Sequence, residues 1–241
     1  MFHVEPFREA IILTGFGTIV NVASIIAGGL VGSLVIKTIP ERVKTLTMQA
    51  LGLSVILIGL KLAWLSQDLL SIILAMASGA ALGELLQIED RLQRLSERIQ
   101  GATGQSPNQF TKTLVGVTLL FCVGPMAITG AFADGLRGDP AILYAKSVLD
   151  GIGALVFASV LGLAVILTAI PVFLYQMTLT LGAGLLARLL TESTLQELNA
   201  TGGLLVLALG LNLTGLGNFR VGNLLPALLT ILLITLTKSL F

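Results

Sequence analysis

Lys146 and Asp150 stand four residues apart in AILYAKSVLDG, inside a long apolar stretch. On a helix that spacing puts an ammonium and a carboxylate on one face, one turn apart. Charges inside a membrane are costly and usually kept for a function. In such a setting Asp150 would coordinate a cation or carry a proton, and Lys146 would neutralise it in the empty state. Upstream, Gly124-Pro125 interrupts another apolar run. Proline lacks an amide donor and clashes with the preceding turn, so a kink or break is expected there. The freed backbone groups need partners from protein or cavity water, and so would line a cavity. Asn21, Gln176, Asn212 and Asn223 are amide side chains in otherwise apolar segments, suited to hydrogen-bonding a solute. The competing readings are structural. Residues 151 to 170 alone are long enough to span a membrane, which would leave Asp150 at the interface in an ordinary ion pair. Asn21 would equally serve as an interhelical hydrogen bond.

Other chemistry is scarce. His3 is the only histidine and Cys122 the only cysteine. Histidine-based catalysis, zinc binding and an intrachain disulfide are therefore excluded as expectations. GGLVGS lacks the lysine of a phosphate loop, and GELLQIED matches no zinc motif. Asp134, Asp139 and Asp150 are the remaining candidates for a metal, but their turn and cap positions have structural explanations. No enzymatic activity, cofactor or metal is expected. Net charge is +1, which offers no footprint for nucleic acid.

These residues are embedded in a chain of 241 residues that is 55% hydrophobic and 11% charged, with a mean hydropathy of +0.96. Soluble domains carry about 25% charged residues. The bilayer must be the solvent for much of this surface, and the fold class expected is an all-α, polytopic transmembrane helix bundle. The whole chain, 1–241, reads as one integral membrane domain. Spans of about 20 apolar residues fall at roughly 10–36, 46–65, 69–88, 112–133, 141–169, 172–190, 201–217 and 222–239, eight in all. The division between the fifth and sixth is expected at Pro171. The opening MFHVEPFREA carries two acids and does not resemble a cleavable signal, so the first span is expected to be retained. Residues 88–100 alternate apolar and charged positions at helical spacing and predict an amphipathic helix, in a cytoplasmic segment of 88–112. GATGQSPNQ reads as a loop. Trp64 suits an interfacial anchor. Glu84 is expected to reach water.

Small residues recur every fourth position at Ser24, Gly28 and Gly32, at Ala75, Gly79 and Gly83, and at Ala154, Ala158 and Gly162. Such faces let helices approach closely, within the chain or in a homodimer. GLSVILIGLKL at 52–62 aligns without gaps to GLLVLALGLNL at 203–213. Spans one to three and six to eight then read as two copies of one unit, 10–88 and 171–241, in opposite orientations around two central spans. Inverted repeats are a common design of secondary transporters. Lys37, Arg42 and Lys44 mark one loop, and Arg91, Arg94, Arg98 and Lys112 another on the same side. Basic loops favour the cytoplasm, which places the N-terminus outside.

GTIVNVASIIAGGLVG, GELLQIEDRLQRL, FCVGPMAITGAFADGLRGDPAILYAKSVLDG, ATGGLLVLALGLNL and RVGNLLPA together resemble the bacterial inner-membrane YqgA/YdfK-like family, known as a domain of unknown function. The resemblance runs along nearly the whole chain and implies a polytopic protein of the bacterial inner membrane. It implies no particular activity. From the residues themselves, the expectation is a secondary transporter or channel-like permease for a small solute or cation. The alternative is a non-transporting scaffold or sensor, with the 88–100 helix as its partner surface. Polar residues that converge on one site favour the first, and polar residues scattered at helix ends favour the second.

Overall fold

The structure, a computed structural model, describes residues 14–35, 39–99 and 106–239. His3, Lys37, the start of the first span and most of the GATGQSPNQ loop lie outside them, as do the side chains of Leu95, Arg98 and Ile99. Among the described residues every regular element is a helix. In chain order these are α1 Phe16–Val35, α2 Glu41–Ala63, α3 Leu69–Leu86, α4 Ile88–Ile99, α5 Pro107–Cys122, α6 Pro125–Arg137, α7 Ala141–Leu161, α8 Ala164–Leu167, α9 Ala169–Leu181, α10 Ala183–Leu189, α11 Glu192–Thr214, α12 Val221–Leu224 and α13 Pro226–Ser239.

Among the described residues six segments are long and apolar enough to cross a membrane, and α5 with α6, bent by 60°, makes a seventh if counted as one. The remaining segment of the eight read from sequence is α11. It is 23 residues long, about 35 Å, enough to cross the hydrocarbon core. Glu192, Glu197 and Asn199 dilute its apolar character, and it is the most buried of the long helices.

Backbone contact at small residues holds the bundle together. A Cβ on Gly28 would lie 2.0 Å from the Gly151 carbonyl oxygen, and one on Gly32 2.1 Å from that of Leu155. Residue number rises together on both helices, so α1 and α7 run parallel. Gly79 faces Ala227 and Gly83 faces Asn223, which makes α3 and α13 antiparallel. The small-residue faces of α1 and α3 are therefore occupied by partners in the same chain. The two aligned strings also pack on each other. Gly52 meets Gly210 and Gly59 meets Gly203, so each glycine faces the counterpart of the other. α2 and α11 are both 23 residues long, and the register that aligns Gly52 with Gly203 aligns their first residues, Glu41 and Glu192. α1 meets α8 and α9 antiparallel as well, with Gly29 against Ile166 and Asn21 against Gln176.

These contacts sort the helix ends into two groups. Lys112 bonds Asn218 and Glu84 pairs with Arg220 at one end of the bundle. Gly15 meets Asp134 and Asp68 pairs with Lys238 at the other. α5 begins at the Lys112 end and α6 finishes at the Asp134 end, so the broken pair runs through the bundle.

The break between α7 and α8 falls at Gly162, with φ +74°, and not at Pro171. A left-handed residue ends α7 without strain because glycine has no Cβ. Pro171 instead occupies the first turn of α9, where its missing amide leaves no bond unmade. The second apolar unit thus begins before residue 171. α4 forms as expected and packs its Leu92 face on the core beside α5 and α12. Trp64 is 89% exposed at the end of α2, where an interfacial ring belongs.

Candidate functional site

Asn21 of α1, Lys146 and Asp150 of α7 and Gln176 of α9 meet in one buried cluster. The glycine contact between α1 and α7 brings their backbones together and aims the Asn21 amide at α7. Asn21 Nδ2 donates to Asp150 Oδ2 at 3.0 Å and to Gln176 Oε1 at 3.1 Å. Lys146 Nζ donates to Asp150 Oδ1 at 2.8 Å and Oδ2 at 2.6 Å. Asp150 falls near the middle of the 21-residue α7, so the pair is deep in the bundle and not at the helix end. The carboxylate is flanked by an ammonium and an amide, the company a buried charge needs. Two atoms of the cluster, Asn21 Oδ1 and Gln176 Nε2, have no partner in the protein. A buried polar pair of this kind is ordinarily completed by water or a ligand.

On its other side the ion pair faces a cavity of about 500 Å³, lined also by Val55 of α2, Phe121 of α5, Gly124, Pro125 and Phe157. Gly124 adopts φ +138° and ψ 151° and separates α5 from α6. A Cβ at Gly124 would meet nothing within 4 Å, so the residue borders open space. No side chain caps α6, and its first residues, Pro125 to Ala127, border the cavity with the positive end of the helix dipole. Ile58 and Leu149, also lining residues, are exposed, so the cavity opens at the side of the bundle. Four of the eight residues singled out from sequence, Gly124, Pro125, Lys146 and Asp150, therefore line one space, and Asn21 links Gln176 to the ion pair from its other side.

Asn212 and Asn223 belong to neither group. Asn212 closes the turn after α11, donating to the Phe219 carbonyl and accepting from the Phe219 amide, both at 2.8 Å. It borders a separate cavity of about 240 Å³ with Gln109 and Lys112 at the Lys112 end. Asn223 donates to Glu84 Oε2 at 2.7 Å and accepts from the Glu89 amide at 2.8 Å. Asn212 follows the preference of short amides for local backbone groups at helix ends, and Asn223 ties α12 to the junction of α3 and α4. Asp134, Asp139 and Asp150 do not gather either, and among the described residues no three His, Cys, Asp or Glu groups converge.

Several buried polar residues went unread in the sequence. Thr18 and Thr180 are at most 1% exposed, as is Asp134, which the sequence marked only as part of a polar turn. Thr18 precedes Asn21 by one helical turn and Thr180 follows Gln176 by one, a spacing that would have marked them. Glu197 of α11 accepts from Ser66 Oγ at 2.7 Å and from the Gln67 and Asp68 amides at 2.8 and 3.1 Å, and so ties the α2–α3 turn to α11.

The family model described as Protein of unknown function (DUF554) matches residues 16–236. The Escherichia coli (strain K12) protein described as "Uncharacterized protein YqgA" is 36% identical over 218 residues, which are 88% of this chain and 93% of the relative. The Bacillus subtilis (strain 168) protein described as "Uncharacterized membrane protein YdfK" is 31% identical over 220 residues, 89% of this chain and 93% of the relative. No solved structure matches the chain. The helical, apolar architecture and the match along nearly the full length agree: this is a membrane protein of the DUF554 family, whose function is unknown.

Proposed function

We propose that the protein is a secondary permease for a small solute or ion in the bacterial inner membrane. The observation that carries this reading is the convergence of Asn21, Lys146, Asp150 and Gln176 beside a cavity bordered by a broken helix. A buried carboxylate–ammonium pair is poor glue, because desolvation offsets much of its attraction. Placed at mid-depth beside open space, it suits binding or release of a charge. Asp150 is the charge-carrying residue, Lys146 its neutraliser, and the Asn21 and Gln176 amides its positioning partners. The uncapped start of α6 adds a site of positive potential beside the cavity.

The packing supports an inverted repeat. The three helix pairs that such a repeat makes equivalent, α1 with α9, α2 with α11 and α3 with α13, each pack antiparallel. The reciprocal glycine contacts of α2 and α11 have the pattern of an isologous interface, in which i meets j and j meets i. Arg42, Lys44, Arg91, Arg94 and Lys112 belong to the Lys112 end, which supports a cytoplasmic location for it and an N-terminus outside.

The scaffold reading has less support, since α4, its intended partner surface, is tied into the bundle by Glu89 and Leu92. The test is flux of amino acids, organic acids and cations into liposomes containing the protein. Asp150→Asn is expected to abolish flux while the protein still elutes as a folded species. Normal flux in that variant would end the assignment.

A further inference from the structure

Seven buried side-chain polar atoms among the described residues lack a partner, and five belong to one seam: Thr18 Oγ1, Asn21 Oδ1, Asp134 Oδ2, Gln176 Nε2 and Thr180 Oγ1. Each of these residues is at most 1% exposed. The seam is fixed at both ends. At one, the Gly15 amide donates to Asp134 Oδ1 at 3.3 Å, the Gly17 amide also points at that carboxylate, and a Cβ on Gly135 would lie 2.1 Å from the Thr180 carbonyl oxygen. At the other, Asn21 joins Gln176 and Asp150. Thr18 stands midway between Gly15 and Asn21 on α1, and Thr180 lies one turn beyond Gln176 on α9. Gly15 to Asn21 spans about 9 Å along the chain axis, a length that two or three waters, joined to these unpaired groups, would cover. Arg137 and Asp139, near Asp134, are exposed at the bundle end.

From this geometry we infer that the seam is a proton pathway between the Asp134 end of the bundle and Asp150. The inference rests on reading Asp150 as the charge centre of a permease and names the proton as the ion it handles. A metal cation fits poorly. Lys146 Nζ already occupies both Asp150 oxygens, at 2.8 and 2.6 Å, and a hard cation wants six or more oxygens in a cage. Hydroxyls and waters both donate and accept, which a relay requires. In the transfer, a hydronium ion at the bundle end gives up a proton and becomes water, and a water entering beside the exposed Arg137 and Asp139 hands that proton on to form an O–H bond at Asp134 Oδ2. That O–H bond then breaks as one forms to the first bridging water, and each water passes on one proton. The last O–H bond forms on the Asp150 carboxylate, and Asp134 returns to its anion. Lys146 keeps its charge, loses its counter-ion and is left facing the cavity. The other titratable or charged groups around the two acids are Cys122 of α5, with Tyr175 of α9 beside it, near Asp150, and Arg137 and Asp139 near Asp134.

The test is time-resolved infrared detection of Asp150 protonation after a flash-released proton pulse, on the full chain in liposomes with no solute present. The Asp150 carboxyl band is assigned by its loss in Asp150→Asn. Replacing Thr18 and Thr180 together by Val is expected to slow protonation at least tenfold. The corresponding double Ser variant, which keeps both hydroxyls, is expected to retain the wild-type rate, as is Thr237→Val on the outer surface of α13. Wild-type kinetics in the Val variant would overturn the pathway, and so would equal slowing in the Val and Ser variants. Loss of the pathway is distinguishable from loss of the permease reading. Asp150-dependent solute flux with unaltered proton kinetics in the Val variant sinks only the pathway. Hydroxyl-dependent protonation in a protein that moves no solute sinks only the permease.

Discussion

Lys146 reaches forward one helical turn and covers both oxygens of the Asp150 carboxylate, with 94% of each residue withdrawn from solvent. Removing one partner strands the other charge. Lys146→Ala or Asp150→Ala is expected to cost about 3 kcal/mol, the lower part of the range for broken buried pairs, because the cavity gives the survivor some access to water. Replacing both, as Lys146→Met with Asp150→Leu, should recover most of that loss. Denaturant unfolding in detergent as a double-mutant cycle measures the coupling. Additive losses would contradict the pairing.

The contact between α1 and α7 positions the cluster, so it should be sensitive to one methyl group. Gly28→Ala puts a Cβ about where the Gly151 carbonyl oxygen lies, 2.0 Å from the ideal position, and must separate the helices. A loss of about 3 kcal/mol is expected, with weakening of the Asn21–Asp150 bond. Gly184→Ala, where a Cβ meets nothing within 4 Å, should change stability by less than about 0.5 kcal/mol. Thermal unfolding of the two variants makes the comparison.

Gly124→Ala tests the break separately from the cluster. There is room for the methyl group, but φ is +138°, a conformation that costs a side-chain-bearing residue about 1–3 kcal/mol. The expected outcome is a folded protein with reduced solute flux. Flux at the wild-type level would show that the geometry of the break is dispensable.

Stability at low pH should depend on Asp68 in the α2–α3 turn. Hydrogen bonds from Lys238 and Ser71 hold its carboxyl at about 2, below the ordinary 3.8. A depressed folded-state value means the unfolded chain binds the proton more readily. The contribution is therefore complete above pH 3.8 and disappears as pH falls towards 2. Melting temperature followed across that window should drop more steeply in the wild type than in Lys238→Met.

The bundle was legible because helix-length apolar runs and fourth-residue glycines record lipid exposure and close packing directly. The Lys146–Asp150 pair was legible for the same reason, since both residues sit on one helix. Their depth was not, because a glycine such as Gly162 ends a helix only where tertiary packing selects its left-handed conformation, and Pro171 was the louder local signal. Asn212 and Asn223 carried the same composition cue as Asn21. What separates them is where each helix stops, which one-dimensional spacing does not record. The threonines of the α1–α9 seam pass for apolar filler until the fold shows both hydroxyls buried without a partner.

The most direct test of the central claim is solute flux in liposomes, comparing wild type with Asp150→Asn, Lys146→Ala, Asn212→Ala and Asn223→Ala. The permease reading predicts that flux vanishes in the first two and persists in the last two, because only the first two belong to the buried cluster. Flux that survives Asp150→Asn, or no flux from folded wild-type protein across the full panel, would contradict it.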